Sequence, residues 1–215
     1  MLIDIGCNLA SKRLLPHLDR ILAEAQEAGV IAQIITGSDA ASNETALELA
    51  NRHSELYATA GFHPHHANEW QAPSHRLLLQ TLAREPRCVA VGEMGLDYHR
   101  NLARRDNQRC CFTDQLAIAK TVQKPVFLHE RDAFTDFSAI LGEALPELAG
   151  AVWHCFTGTR AQMEAMTARG LYIGITGWIC DPERGAELRD TVRHIPADRL
   201  MLETDAPYLT PKPLD

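Results

Sequence analysis

Val89-Ala90-Val91-Gly92-Glu93-Met94-Gly95-Leu96-Asp97 is the stretch on which the reading of the fold turns. An apolar run ends on a glycine and a carboxylate, then passes into a segment holding a second glycine. A buried parallel strand that delivers an acid to the mouth of an α/β barrel has this form. The same ending recurs in Ala60-Gly61-Phe62-His63-Pro64-His65, Val126-Phe127-Leu128-His129, Ala151-Val152-Trp153-His154 and Leu200-Met201-Leu202-Glu203-Thr204-Asp205. One His or Asp after a strand is ordinarily a cap or a turn residue. Five such endings in one chain point instead to a shared site.

The spacing agrees. Glu93 and His129 are 36 residues apart, His129 and His154 25, and His154 and Asp205 51. A strand, its crossover helix and the return take roughly 30 residues. The endings therefore fall at one pole of successive parallel strands, where their side chains can converge.

Outward from these runs, strands are expected at residues 2–8, 30–35, 56–60, 88–91, 125–128, 151–153, 171–175 and 200–203. Helices are expected at 14–28, 41–53, 73–84, 105–122, 134–141, 160–168 and 183–192, with Gly29 as the natural stop of the first. Eight strands alternating with seven helices predict an α/β protein, a single TIM-type (β/α)8 barrel over residues 1–215, rather than a doubly wound sheet. No eighth helix follows the eighth strand. Parallel strands are buried on both faces, so Leu200, Leu202 and Leu2 or Cys7 should then expose an apolar outer face. This form is expected to be poorly stable or self-associating, and an added C-terminal helix to raise its melting temperature.

Composition narrows the function classes. The 215 residues carry a formal net charge of −7, so no global basic field attracts nucleic acid, and such a substrate needs local Arg, Lys or metal charge. The cysteines at 7, 88, 110, 111, 155 and 180 have neither zinc-ribbon nor disulfide-framework spacing. Free thiols, the absence of a basic leader before Leu2 and the lack of any apolar run near the roughly 20 residues of a membrane span predict a cytoplasmic protein that does not enter a membrane.

Glu93, His129 and His154 form a candidate divalent-metal site, since neutral imidazole and carboxylate suit zinc, manganese or a hydrated magnesium. Asp205 is a candidate second-metal ligand or the base that deprotonates an attacking water. His63 is a candidate proton donor or phosphate contact, with His65 and His66 as weaker substrate candidates. Arg131, two residues past His129, either clamps a phosphate oxygen or pairs with Asp132 or Glu130. Phe156-Thr157-Gly158-Thr159 either receives an anion or caps the following helix. Met163 and Met166 read as helix core.

Gly61-Phe62-His63-Pro64-His65, Gly92-Glu93-Met94-Gly95-Leu96-Asp97, His154-Cys155-Phe156-Thr157-Gly158 and Glu203-Thr204-Asp205-Ala206-Pro207 together resemble the signature stretches of the TatD family. That family comprises metal-dependent nucleases on an amidohydrolase-type barrel. The opening Asp4-Ile5-Gly6-Cys7-Asn8-Leu9 departs from the His-x-His of most members. With Ile173-Gly174-Ile175-Thr176-Gly177-Trp178, it resembles the branch of the family's bacterial namesake.

The resemblance implies a cytoplasmic, magnesium-dependent 3′–5′ exonuclease of single-stranded DNA and RNA, monomeric and linked to repair of damaged DNA. It also implies metal ligation by Glu93, His129 and His154, with Asp205 and His63 at active-site positions. Gly6 has no side chain and Asn8 only an amide, so the loss of two imidazoles tilts the site from zinc toward magnesium. Two other classes stay open: an ester or amide hydrolase, such as a deacylase of mischarged aminoacyl-tRNA, and a shortened, non-catalytic barrel that only binds nucleic acid.

Overall fold

No strand contains a proline, since the fifth begins just after Pro125, so each can keep its place in a hydrogen-bonded ladder. In the computed structural model, which describes residues 1–213, the strands are β1 (Leu2–Cys7), β2 (Val30–Ile35), β3 (Leu56–Ala60), β4 (Cys88–Asp97), β5 (Val126–Arg131), β6 (Ala151–Trp153), β7 (Tyr172–Ile175) and β8 (Leu200–Leu202). All neighbours pair parallel, in sequence order from β1 to β8. The helices between them are α1 (Leu18–Glu27), α2 (Ala40–Arg52), α3 (Ala72–Arg84), α4 (Arg105–Val122), α5 (Phe134–Ala144), α6 (Arg160–Thr167) and α7 (Ala186–Val192). This is a TIM-type (β/α)8 barrel, nearly closed.

The strand register explains how the ring shuts. No ladder joins β8 to β1 among the described residues. The C-terminal pole is stitched instead by two backbone bonds, Asp205 N–H to the Gly6 carbonyl at 2.8 Å and Asn8 N–H to the Ala206 carbonyl at 2.7 Å. The buried Asp4 carboxylate adds two more, accepting from the Thr204 N–H at 3.0 Å and the Thr204 hydroxyl at 2.6 Å. The seam is thus tied at the pole that carries the site. Below it, Leu2, Ile3, Leu200 and Leu202 are between 36% and 49% exposed. Cys7 departs from the expected exposed strip. It is buried, its thiol donates to the Ile34 carbonyl at 3.4 Å, and it packs in a cluster with Leu18, Leu22, Leu49 and Leu56 under α1 and α2.

Two boundaries differ from the sequence expectation in ways that matter. The first helix is split, because Pro16 starts a short 3-10 turn at Leu15–His17 before α1 begins. β4 does not stop at Val91 but continues to Asp97 through a register shift between Val91 and Met94. Gly92 makes this possible: its φ is 133°, and a Cβ there would meet the Phe127 carbonyl oxygen at 2.2 Å. Only glycine allows that backbone and that approach. The result is one strand that carries both Glu93 and Asp97. α4, β6, β2 and β3 fall where the pattern placed them. Met163 and Met166 are buried in the larger core, as expected.

Candidate active site

Backbone bonds fix each strand-end residue before its side chain does anything. Glu93 N–H donates to the Gly37 carbonyl at 3.0 Å, His63 N–H to Ser38 at 2.9 Å, and His154 N–H to Leu128 at 3.0 Å. His129 lies inside β5. These anchors bring three imidazoles around one oxygen. Glu93 Oε1 lies 2.8 Å from His154 Nε2, 3.1 Å from His129 Nδ1 and 3.3 Å from His63 Nε2. Ligand atoms of His63, Glu93 and His129 all lie within 4.8 Å of one another.

The far nitrogens of the rings assign their roles. His129 Nε2 faces Asp97 Oδ2 at 3.5 Å, and His154 Nδ1 faces Glu203 Oε2 at 3.4 Å. These contacts are close enough for charge pairing but too long and misaligned for full hydrogen bonds. His129 Nε2, His154 Nδ1 and Glu203 Oε2 are accordingly buried without a hydrogen-bond partner. An acid behind an imidazole places the ring proton on the far nitrogen and turns the near nitrogen's lone pair inward. His63 is the opposite case. Its Nδ1 accepts from the His65 N–H at 3.1 Å, so its Nε2 carries the proton. His129 Nδ1 and His154 Nε2 both point at Glu93 Oε1, where each holds a proton against the carboxylate and offers its lone pair only once a cation displaces that proton, and His63 Nε2 is a hydrogen-bond donor.

Burial opposes charge throughout the cluster, and the neighbours decide which groups keep it. Around Glu93 the imidazoles outweigh burial and hold its carboxyl well below the usual range. Asp97 also stays low despite burial, through His129, His65 and the Arg100 N–H. Glu93 and Glu203 raise His154 well above its ordinary value, and Asp97 and Glu93 raise His129. At His63 burial wins, and its imidazole falls to about 4. Burial, with Glu93 and Glu203 nearby, pushes Asp205 up to about 7.

Mixed nitrogen and oxygen donors that converge on one point, with carboxylates behind two of the rings, fit a divalent cation.

Asp205 stands slightly apart. Its Oδ1 accepts from the Asn8 side-chain amide at 3.0 Å. His65 Nε2 pairs with Asp97 Oδ2 at 2.7 Å, and His66 rests on Glu69 at 3.3 Å. Arg131 forms neither of the ion pairs weighed for it. Glu130 ties the turn before α5 by accepting from Ala133 N–H at 2.7 Å, and Asp132 pairs with His99 at 2.8 Å. Thr159 caps α6 in a reciprocal box with Gln162.

Asp97 and Glu203 are the two acids the residue patterns left without a role. Each sits in the stretches quoted above, at a strand end, fully or nearly buried. The signal for both was a second carboxylate in the same ending as a first.

Glu203 also accounts for Gly6. A Cβ on Gly6 would meet Glu203 Oε2 at 2.6 Å and Phe127 Cζ at 2.9 Å, and one on Gly174 would meet Glu203 Oε1 at 2.7 Å. The space that a first-strand imidazole would need is filled by a carboxylate from the last strand. Gly6→Ala is therefore expected to destabilise by about 1–3 kcal/mol, as overpacking does. At roughly 2–4 °C per kcal/mol for a chain of this size, a thermal melt reads the loss directly. An unchanged melting temperature would mean that Glu203 moves aside freely.

The family described as TatD related DNase matches residues 3–215 of the chain. The chain is 49% identical over 212 residues to the 3′-5′ ssDNA/RNA exonuclease TatD of Erwinia tasmaniensis, covering 98% of this chain and 82% of that protein. It is 46% identical over 213 residues to the protein of the same name from Escherichia coli, covering 99% and 82%. Among solved structures, YJJV, a TatD homologue from Escherichia coli, superposes with a TM-score of 0.90 at 31% identity, over 99% of this chain and 82% of that one.

Proposed function

The chain belongs to the TatD-related DNase family, and from that premise we propose that it is a magnesium-dependent exonuclease that shortens single-stranded DNA and RNA from the 3′ end. The observation that carries the reading is the convergence of His129 Nδ1 and His154 Nε2 on Glu93 Oε1, each ring backed by a second acid. Likeness to exonucleases at 46–49% identity over nearly the whole chain supports the same conclusion.

Glu93, His129 and His154 are the proposed ligands, with Asp205 at the edge of the set. A divalent cation held there supplies Lewis acidity toward a phosphoryl oxygen and lowers the pKa of water. Glu203 sits in the space a first-strand imidazole would need and adds oxygen rather than nitrogen to the site's surroundings, which favours magnesium over zinc.

The chain's own residues do the rest. Asp205 is oriented through Oδ1 by Asn8, which leaves its other oxygen to take a proton from the attacking water. His63, neutral at neutral pH and protonated on Nε2, is a hydrogen-bond donor to a phosphoryl oxygen rather than a full proton donor. His65, held on Asp97, and Arg131, two residues past His129, are the further substrate contacts of this reading.

Six free cysteines suit a reducing cytoplasm, and among the described residues no helix is long and apolar enough to cross a membrane. We place its work there, as a monomer trimming damaged ends. One gel tests the reading. A 5′-labelled single strand incubated with magnesium should give a ladder that shortens from the 3′ end, and EDTA should abolish it. Release of label from the 5′ end, or a ladder that persists in EDTA, would overturn the proposal.

A further inference from the structure

A groove of about 580 Å³ is lined by residues that follow the strand endings of the carboxylate–imidazole cluster, and of its lining only Arg131 has a part in the chemistry above. Its lining starts where the site ends. His99 follows Asp97 by two residues, Arg131 follows His129 by two, and Thr157 follows His154 by three. The far wall is Trp178, in the 3-10 turn Gly177–Cys180 that follows β7. Trp178 is half-buried and packed against the main core, so its ring is held in place.

Two guanidinium groups lie over that ring. Arg184 is 4.7 Å from the centroid and is anchored by Asp181, which accepts from its Nη2 at 2.9 Å and its Nε at 3.2 Å. Arg131 is 5.3 Å from the centroid and pairs with no carboxylate among the described residues. Its two neighbouring acids are committed elsewhere, Glu130 to the Ala133 N–H and Asp132 to His99. The chain carries a net charge of −7, yet it keeps one unneutralised guanidinium over an aromatic ring at the mouth of the site. A cation–π contact of this kind at a partly exposed site is worth only about 0.5–1 kcal/mol. It is easily exchanged.

Resting on the nuclease reading, we infer that this groove holds one nucleotide next to the scissile phosphate. Its base stacks on Trp178 in the place Arg131 occupies in the free protein, and Arg131 swings onto that nucleotide's phosphate. The volume suits one small ligand rather than a long track. Stacking on an aromatic ring accepts every base, and a planar guanidinium matches phosphate geometry. Glu130, Asp132 and Glu187 also line the groove; the first two are engaged by Ala133 N–H and His99, which leaves Arg131 as the cation free to take the phosphate.

The test compares an intact single-stranded oligonucleotide with one whose last three residues are abasic. For Trp178→Ala, KM on the intact strand should rise about 10-fold, as loss of one stacked base does. The parent protein should show the same rise on the abasic strand, and the variant no further rise on it. Trp178→Phe, which keeps an aromatic face and guards against misfolding of the alanine variant, should stay within about threefold of the parent. Arg131→Gln should raise KM equally on both strands, because it removes a phosphate contact.

An unchanged KM in Trp178→Ala, or an equal rise on both strands, overturns the inference. Fluorescence anisotropy of the labelled strands in EDTA separates this from the functional reading. If magnesium supports no cleavage of the strand, but in EDTA the intact strand still binds more tightly than the abasic one, and only while Trp178 is present, the nuclease reading fails and the groove stands.

Discussion

Glu93→Gln is expected to lower magnesium-dependent cleavage of single-stranded DNA by about 10³-fold or more while leaving the barrel folded. Among the described residues this carboxylate alone touches His63, His129 and His154 together. Its amide replacement has the same shape but no charge, so a cation loses its one anionic donor among those four groups. Loss of several kcal/mol of charge stabilisation, at about 1.36 kcal/mol per decade, gives that magnitude. The fold should survive because the Glu93 backbone N–H, not its side chain, ties β4 to Gly37, and because imidazoles left without a partner can shed their protons. His129→Ala and His154→Ala should likewise abolish activity with a normal circular dichroism spectrum. His63→Ala should cost less, since its Nε2 is assigned as a donor to substrate rather than a ligand. Near-normal turnover in Glu93→Gln or in either of the first two histidine variants would remove the proposed site.

The architecture was legible because parallel strands leave a plain trace: apolar runs bounded by chemistry-bearing residues at a regular spacing. That pattern located β2, β3, β6 and α4 to the residue. It misjudged β4 because two glycines read as loop, whereas Gly92 is what lets the strand continue past Phe127. Within the site, Glu93, His129 and His154 were legible as strand endings, and the structure brings both rings to one oxygen of Glu93. Asp97 and Glu203 were hidden for a different reason. Their roles depend on which ring nitrogen they face, and that follows from side-chain directions across non-adjacent strands. The meaning of Gly6 was hidden in the same way. Its missing side chain read as a weakened ligand position, and only the approach of Glu203 from the far end of the chain reveals what fills the gap.

Asp205→Asn separates a base from a ligand, and it is expected to lower turnover by about 10² or more with binding of DNA retained. The substitution keeps the shape and one oxygen, so the bond from the Asn8 amide at 3.0 Å can persist. It removes the proton acceptor. It also removes a negative charge facing a polyanion, so affinity for DNA should hold or tighten. Burial and the neighbouring acids already push Asp205 up to about 7, a basicity suited to taking a proton from water near neutral pH. Three results are distinguishable by single-turnover assays across a magnesium titration. A lower rate of the bound complex that added magnesium does not restore identifies the base. Recovery at high magnesium makes Asp205 a ligand of the cation instead. Weakened DNA binding with an unchanged rate in the bound fraction makes it a substrate contact, and the assignment as base then fails.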